Sequence, residues 1–185
     1  LDAKPPLALA GYSVYKNAAG AYEILMPCTP TEEQSTLKGG STQHQSTCNS
    51  GGKEQAVMWQ VLPAAGTMGA LENARDASHQ FLDNVTYKAV KVGPYDGFDV
   101  SGSPKNASGT MHIRMVMVKD RFYQMLDLGL SEAESLAWRG SFKLAGEPGA
   151  AGAASAGSLA KTCETYLAKL EKCNENAIAS VPEGS

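Results

Sequence analysis

Apolar and polar residues alternate most regularly over positions 110–129, TMHIRMVMVKDRFYQMLDLG. Met111, Ile113, Met115 and Met117 alternate with His112, Arg114, Val116 and Val118, the repeat of a strand that buries one face. The pattern then runs in reverse. With Lys119 and Asp120 as a two-residue turn, Met117 faces Phe122, Met115 faces Gln124, Ile113 faces Leu126 and Met111 faces Leu128, so one side of the predicted hairpin is almost wholly apolar. The other side pairs Val116 with Tyr123, Arg114 with Met125 and His112 with Asp127, a mixed surface suited either to solvent or to a covering helix. A three-residue turn would scramble this pairing, because side chains change face with every residue. Lys-Asp also lacks the glycine that two-residue hairpin turns favour.

Around the hairpin, strands are predicted at 12–15 and 22–26, parted by a turn at 17–20, and a polar hairpin over 31–48. Residues 54–62 are mostly apolar on both faces, as in a central strand covered on both sides. After Pro63 the spacing becomes helical from about 68 to 84, with Met68, Leu71, Ser78, Phe81, Leu82 and Val85 on or near one stripe, long enough to cover the hairpin's apolar side. Strands at 86–92 and 98–101 are divided by a turn from Gly93 to Gly97. Ser131 and Glu134 form a capping box that opens a short helix through Trp138, and a last strand follows at 141–144.

Composition sets the domain organisation. A chain of 185 residues, 43% hydrophobic, holds one domain of ordinary size and not two. Residues 1–11 read as an extended lead-in, 12–145 as the folded domain, 146–160 as a flexible Gly/Ala-rich linker, and 161–185 as a short helical tail carrying two cysteines. A net charge of -3 without any basic run leaves no electrostatic footprint for nucleic acid or an anionic membrane surface. No apolar run approaches the ~18 residues of a membrane-spanning helix. The chain opens on Leu1, as a processed or trimmed protein would, and a removed N-terminal signal would be compatible with a membrane tether.

Cysteines at 28, 48, 163 and 173 include no C-x-x-C pair and are too scattered for a zinc ribbon, which points to disulfides and an oxidising, extracytoplasmic compartment. A Cys28–Cys48 bridge would close a polar loop and stabilise the fold by about 3 kcal/mol. A hairpin turning at Gly39-Gly40 would set Cys48 opposite Thr31, so irregular chain at Thr29 and Pro30 has to bring the sulfurs together. In one continuous helix Cys163 and Cys173 would stand about 15 Å apart, so they pair elsewhere or the helix is broken.

The order of these pieces resembles the PsbP-like domains, a group that includes small bacterial envelope proteins and lipoproteins of unknown function. The resemblance runs from about Tyr12 to Leu144. It rests on the opening strand Tyr22-Glu23-Ile24-Leu25-Met26-Pro27, the apolar strand around Trp59 with its following amphipathic helix, the strand containing Gly97, the "RFYQM" strand from Arg121 to Met125, and the closing "SFKL" from Ser141 to Leu144. The Cys28–Cys48 segment and the cysteine tail are not shared features. The resemblance implies an α/β (α+β) fold, an antiparallel sheet sandwiched by helices, and it implies no particular reaction.

Candidate chemistry gathers on the hairpin's mixed face. His112 opposite Asp127 would allow a carboxylate to orient an imidazole for base catalysis, but no nucleophile accompanies them and Arg114 lies on the same face, which favours a cross-strand charge cluster. His79, with Asp76 and Asp83 at helical spacing, and the methionines 58, 111, 115, 117 and 125 with His112, are weak metal candidates for a hard cation and for copper; an ordinary charged helix face and core packing explain them more simply. His44 is expected at the surface. Two N-x-S/T tripeptides, at Asn84 and Asn106, are frequent by chance. No G-x-S-x-G, H-E-x-x-H, P-loop or dinucleotide fingerprint occurs, and no cofactor is expected. The favoured expectation is a non-enzymatic binding or assembly module for an unidentified protein or small ligand, using His112, Arg114, Tyr123, Met125 and Asp127 if the following helix leaves that face open. The alternative is a copper or zinc carrier, or an enzyme, built around His112.

Overall fold

A computed structural model of the chain describes residues 9–37, 40–63 and 69–145. In chain order the described elements are β1 (Ser13–Asn17), β2 (Tyr22–Met26), β3 (Thr31–Thr36), β4 (Thr42–Ser50), β5 (Lys53–Val61), α1 (Ala70–Ala77), β6 (Leu82–Val92), β7 (Tyr95–Pro104), β8 (Met111–Val118), β9 (Arg121–Leu128), α2 (Glu132–Gly140) and β10 (Lys143–Leu144). They form a seven-stranded sheet in the order β3-β4-β5-β9-β8-β7-β6 and a three-stranded sheet in the order β1-β2-β10. Neighbouring strands are antiparallel throughout. The chain is a mixed α/β fold dominated by antiparallel sheet.

The β8–β9 hairpin has the predicted register, with Met111 opposite Leu128, His112 opposite Asp127 and Met117 opposite Phe122. Lys119 takes the left-handed conformation (φ 57°) that glycine would usually supply in such a turn. The hairpin's apolar side is covered by α1, whose Leu71 and Ala74 pack among Met58, Met111, Ile113, Met115, Phe122 and Leu126. This helix is shorter than its hydrophobic stripe. It stops at Ala77, passes through a 3-10 turn (Ser78–Gln80), and Leu82, Asn84 and Val85 belong to β6 instead. Ser78 Oγ donates back to the Ala74 carbonyl at 3.2 Å, and the β-branched run beyond Asn84 favours a strand. Leu82 still packs in the same apolar cluster, which is why it matched the helical stripe. Met68 lies outside the described residues.

The sheet's second face is covered by the small sheet together with α2, rather than by helices alone. Tyr22, Ile24 and Met26 of β2 pack with Trp59, Val116, Tyr123 and Met125 of the large sheet and with Trp138 and Phe142 from the chain around α2. Trp138 is fully buried, and its indole N–H donates to the Leu25 carbonyl at 2.7 Å, tying α2 to β2. β5 is buried on both faces along Gln55, Ala56, Val57, Met58 and Trp59, as a central strand should be.

Other elements moved by a few residues. The β3–β4 register sets Thr31 opposite Thr47, one residue from the expected pairing, and the irregular chain before β3 still brings Cys28 to Cys48 with a Cα–Cα distance of 5.9 Å and a disulfide between them. The turn between β6 and β7 narrows to Gly93-Pro94, since Val92 already pairs with Tyr95. Gly97 therefore lies within β7, where a Cβ would sit 2.4 Å from the Met115 carbonyl oxygen, so its lack of a side chain permits close strand approach and not a turn. The last strand begins at Lys143, because Ser141 caps α2, its hydroxyl donating to the Trp138 carbonyl at 2.6 Å. Most of the predicted lead-in, the Gly/Ala-rich linker, and the tail with Cys163 and Cys173 lie outside the described residues.

Candidate functional site

Strand alternation places His112 and Arg114 of β8, Asp99 and Ser101 of β7, and Asp127 of β9 on one face of the large sheet. α2 crosses this face beside β2. Its capping box is present in full: the Glu134 N–H donates to Ser131 Oγ at 3.4 Å, and the Ser131 N–H donates to the Glu134 carboxylate at 2.9 Å. Lys53 pairs with Glu134 at 2.8 Å and anchors the same turn to β5. With the helix start fixed, Glu132, Ser135 and Arg139 recur at helical spacing, and all three meet the charged face of the sheet.

The cluster is continuous. His112 Nδ1 lies 3.0 Å from Asp127 Oδ1, while Nε2 lies 2.8 Å from Glu132. Ser135 Oγ donates to the second Asp127 oxygen at 2.6 Å. Arg139 donates to Ser135 Oγ at 3.1 Å and stands 3.2 Å from Asp99. Arg114 grips Asp99 with two nearly parallel bonds of 2.7 and 2.8 Å and donates a third, at 3.0 Å, to the Arg139 carbonyl. Asp127 is completely buried, and burial pushes its carboxyl above the usual range; the Ser135 hydrogen bond and the charges of His112 and Arg139 pull it back only in part. In contrast, the Glu132 side chain is 74% exposed.

Above this floor lies a groove of about 420 Å³ between β6, β7 and α2. Thr86, Lys88 and Val90 of β6 form one side, Glu132, Leu136 and Arg139 form the other, and His112, Arg114, Asp99 and Ser101 lie at the bottom. Leu136 is half exposed at the rim. The volume is in the range of small-ligand sites.

The five binding residues read from the sequence thus separate. His112, Arg114 and Asp127 come together, the first two lining the groove and Asp127 buried beneath. Tyr123 and Met125 are buried in the apolar core under the small sheet, with Tyr123 Oη donating to the Gly20 carbonyl at 2.7 Å. Of the two cases the sequence left open, a solvated face and a covered one, the structure has the covered one: α2 and the small sheet close most of that face because its apolar members require cover. Sequence reasoning missed Asp99, Glu132, Ser135 and Arg139. The signal was present in α2, where polar residues recur at positions 132, 135 and 139 on a helix that had to face the sheet.

The remaining candidates fall elsewhere. Met58, Met111 and Met115 pack under α1, on the sheet face opposite His112, and Met125 lies in the other apolar cluster, so the copper set is not assembled. His79 is exposed; among the described residues no group of three or more His, Cys, Asp or Glu side chains is placed to hold a metal ion. His44 is half-buried rather than a free surface residue. Its ring stacks on Trp59 at 4.0 Å, Arg121 lies 4.9 Å from the Trp59 ring, and burial together with the Arg121 charge lowers the imidazole pKa. A second pocket, about 250 Å³, opens beside this stack among Tyr15, Asn17 and Glu32.

No protein-family model matches the chain, and comparison with curated proteins gives no match.

Proposed function

We propose that the protein is an extracytoplasmic, non-enzymatic binding or assembly module of the PsbP-like kind, and that the groove between β6 and α2 receives its partner. The supporting observation is the form of the charged cluster beneath the groove. Its ions are held by one another in fixed geometry, giving a rigid polar floor beside the half-exposed Leu136 and an outermost strand, β6. The disulfide fits an oxidising compartment, and no described helix is long and apolar enough to span a membrane.

A second reading is favoured by one observation. The His112–Asp127 pair, with Ser135 fixing the second carboxylate oxygen, is the arrangement that orients an imidazole as a general base. Against it, Nε2 is engaged by the Glu132 carboxylate and not by a hydroxyl or thiol nucleophile.

A photoreactive side chain substituted at Leu136, compared with one at the similarly exposed Val14 of β1, tests the proposal in the cell that makes the protein. The expected result is one discrete adduct from position 136 and none from position 14. Adducts from position 14 alone, or no adduct from either, would reject the groove as the contact site.

A further inference from the structure

Resting on the groove reading, we infer that the groove recognises a carboxylate carried by an extended acidic peptide, and that Glu132 is a tethered competitor occupying the carboxylate position. His112 is 97% buried, from a relative exposure of 3%, and its side chain reaches the groove with Nε2. The oxygen that meets Nε2 comes from a side chain otherwise in solvent. Within the cluster, Asp127 is held by Ser135 and Asp99 is clamped by two arginines, whereas among the described residues the Glu132 side chain joins the cluster through this one contact. A carboxylate from outside can replace it while every other bond of the cluster stays in place.

The groove supplies the remaining recognition. Lys88 stands at its rim on β6, a cation for the incoming acid. β6 is an outer strand of the sheet, and beyond the irregularity between Asp83 and Thr86 it runs in regular register to Val92. Its outward backbone groups can therefore pair with an added strand whose alternate side chains enter the groove. Lys88, exposed on the groove side of that strand, disfavours a basic partner and matches an acidic one, whereas Lys91 on the other side is paired with Asp96. A free acid gains only the His112 and Lys88 contacts, while an acidic strand also gains the backbone bonds.

Because the Glu132 side chain is exposed, replacing it disturbs little of the core, and its contact, solvent-exposed on the Glu132 side alone, is displaced at a cost of up to about fivefold in affinity. The test titrates the full chain with an acetylated, amidated peptide of alternating Val and Glu, its Val/Gln counterpart, and acetate, following the His112 imidazole nitrogen resonances. The expected results are binding of the Glu peptide with a shift at His112 Nε2, at least tenfold weaker binding of the Gln peptide, still weaker binding of acetate, and a two- to fivefold tighter Glu-peptide complex with Glu132→Gln. Equal affinity for the Glu and Gln peptides, or no gain with Glu132→Gln, would overturn the carboxylate inference while leaving position-136 crosslinking to judge the groove separately. Acetate binding as tightly as the Glu peptide would overturn the peptide as occupant. Failure of all three probes to bind would overturn the inference outright.

Discussion

Arg114 shows how a charged residue becomes an internal support. A lone guanidinium on the inner face of a sheet would be costly, but here it is neutralised by Asp99 through two bonds and satisfied further by the Arg139 carbonyl. Arg114→Ala leaves Asp99 with Arg139 as its remaining arginine partner, and we expect a loss of about 2 to 4 kcal/mol in urea unfolding. Tyr123→Ala opens a cavity beneath the small sheet and should cost roughly 3 to 5 kcal/mol, whereas Tyr123→Phe removes the hydroxyl's bond to the Gly20 carbonyl and its contact with Arg121 and should cost about 1 kcal/mol. Unchanged unfolding midpoints for both Tyr123→Ala and Arg114→Ala would mean that this face is open. The pairing of His112 with Asp127 was legible from strand alternation alone. Its closure by Glu132 was not, because that contact depends on where α2 crosses the sheet, a long-range property that no local period encodes.

At the scale of elements, α2 holds the groove wall through its first turn. Lys53 and the Ser131 hydrogen bonds depress the Glu134 pKa to about 2. A carboxyl held below its unfolded value contributes stability that is present above the ordinary carboxylate range and is lost as pH falls through the folded pKa. We therefore expect amide exchange in the first turn of α2, corrected for intrinsic rates, to accelerate as pH falls from about 4.5 toward 2. Glu134→Gln should reduce that pH dependence; an identical pH profile in the variant would rule out Glu134 as its source. The capping box was readable in the sequence because it is a local signal. The end of α1 was harder to read, since Leu82 packs with the helix although it begins a strand, and a shared apolar cluster gave two elements one apparent stripe.

At the scale of the whole molecule, the sheet is buttressed by different layers on its two faces. The apolar side of the β8–β9 hairpin required one helix, as its composition indicated. Its mixed side required a cover that could bury Tyr123 and Met125 yet meet His112 and Arg114, and β2 with α2 divides that task between an apolar strand and a helix with a polar stripe. The local strands that make the small sheet were legible; their assembly as a separate layer was not, because β10 pairs with β2 across more than a hundred intervening residues. The Cys28–Cys48 bridge holds the segment entering β3 against β4. Replacing both cysteines by serine should lower stability by about 3 kcal/mol while leaving the groove's position-136 crosslinking intact. A loss of crosslinking in a variant that remains folded would show that the bridge also shapes the binding surface.

The central claim, that a partner strand joins β6 above the His112–Arg114 cluster, is tested most directly by amide hydrogen exchange of the full chain with and without the Val/Glu peptide. Slowed exchange over residues 86–92 of β6 and in α2 is the predicted result, with β3 at the opposite edge unchanged. Protection confined to β3, or saturating peptide with no protection in β6, would contradict it.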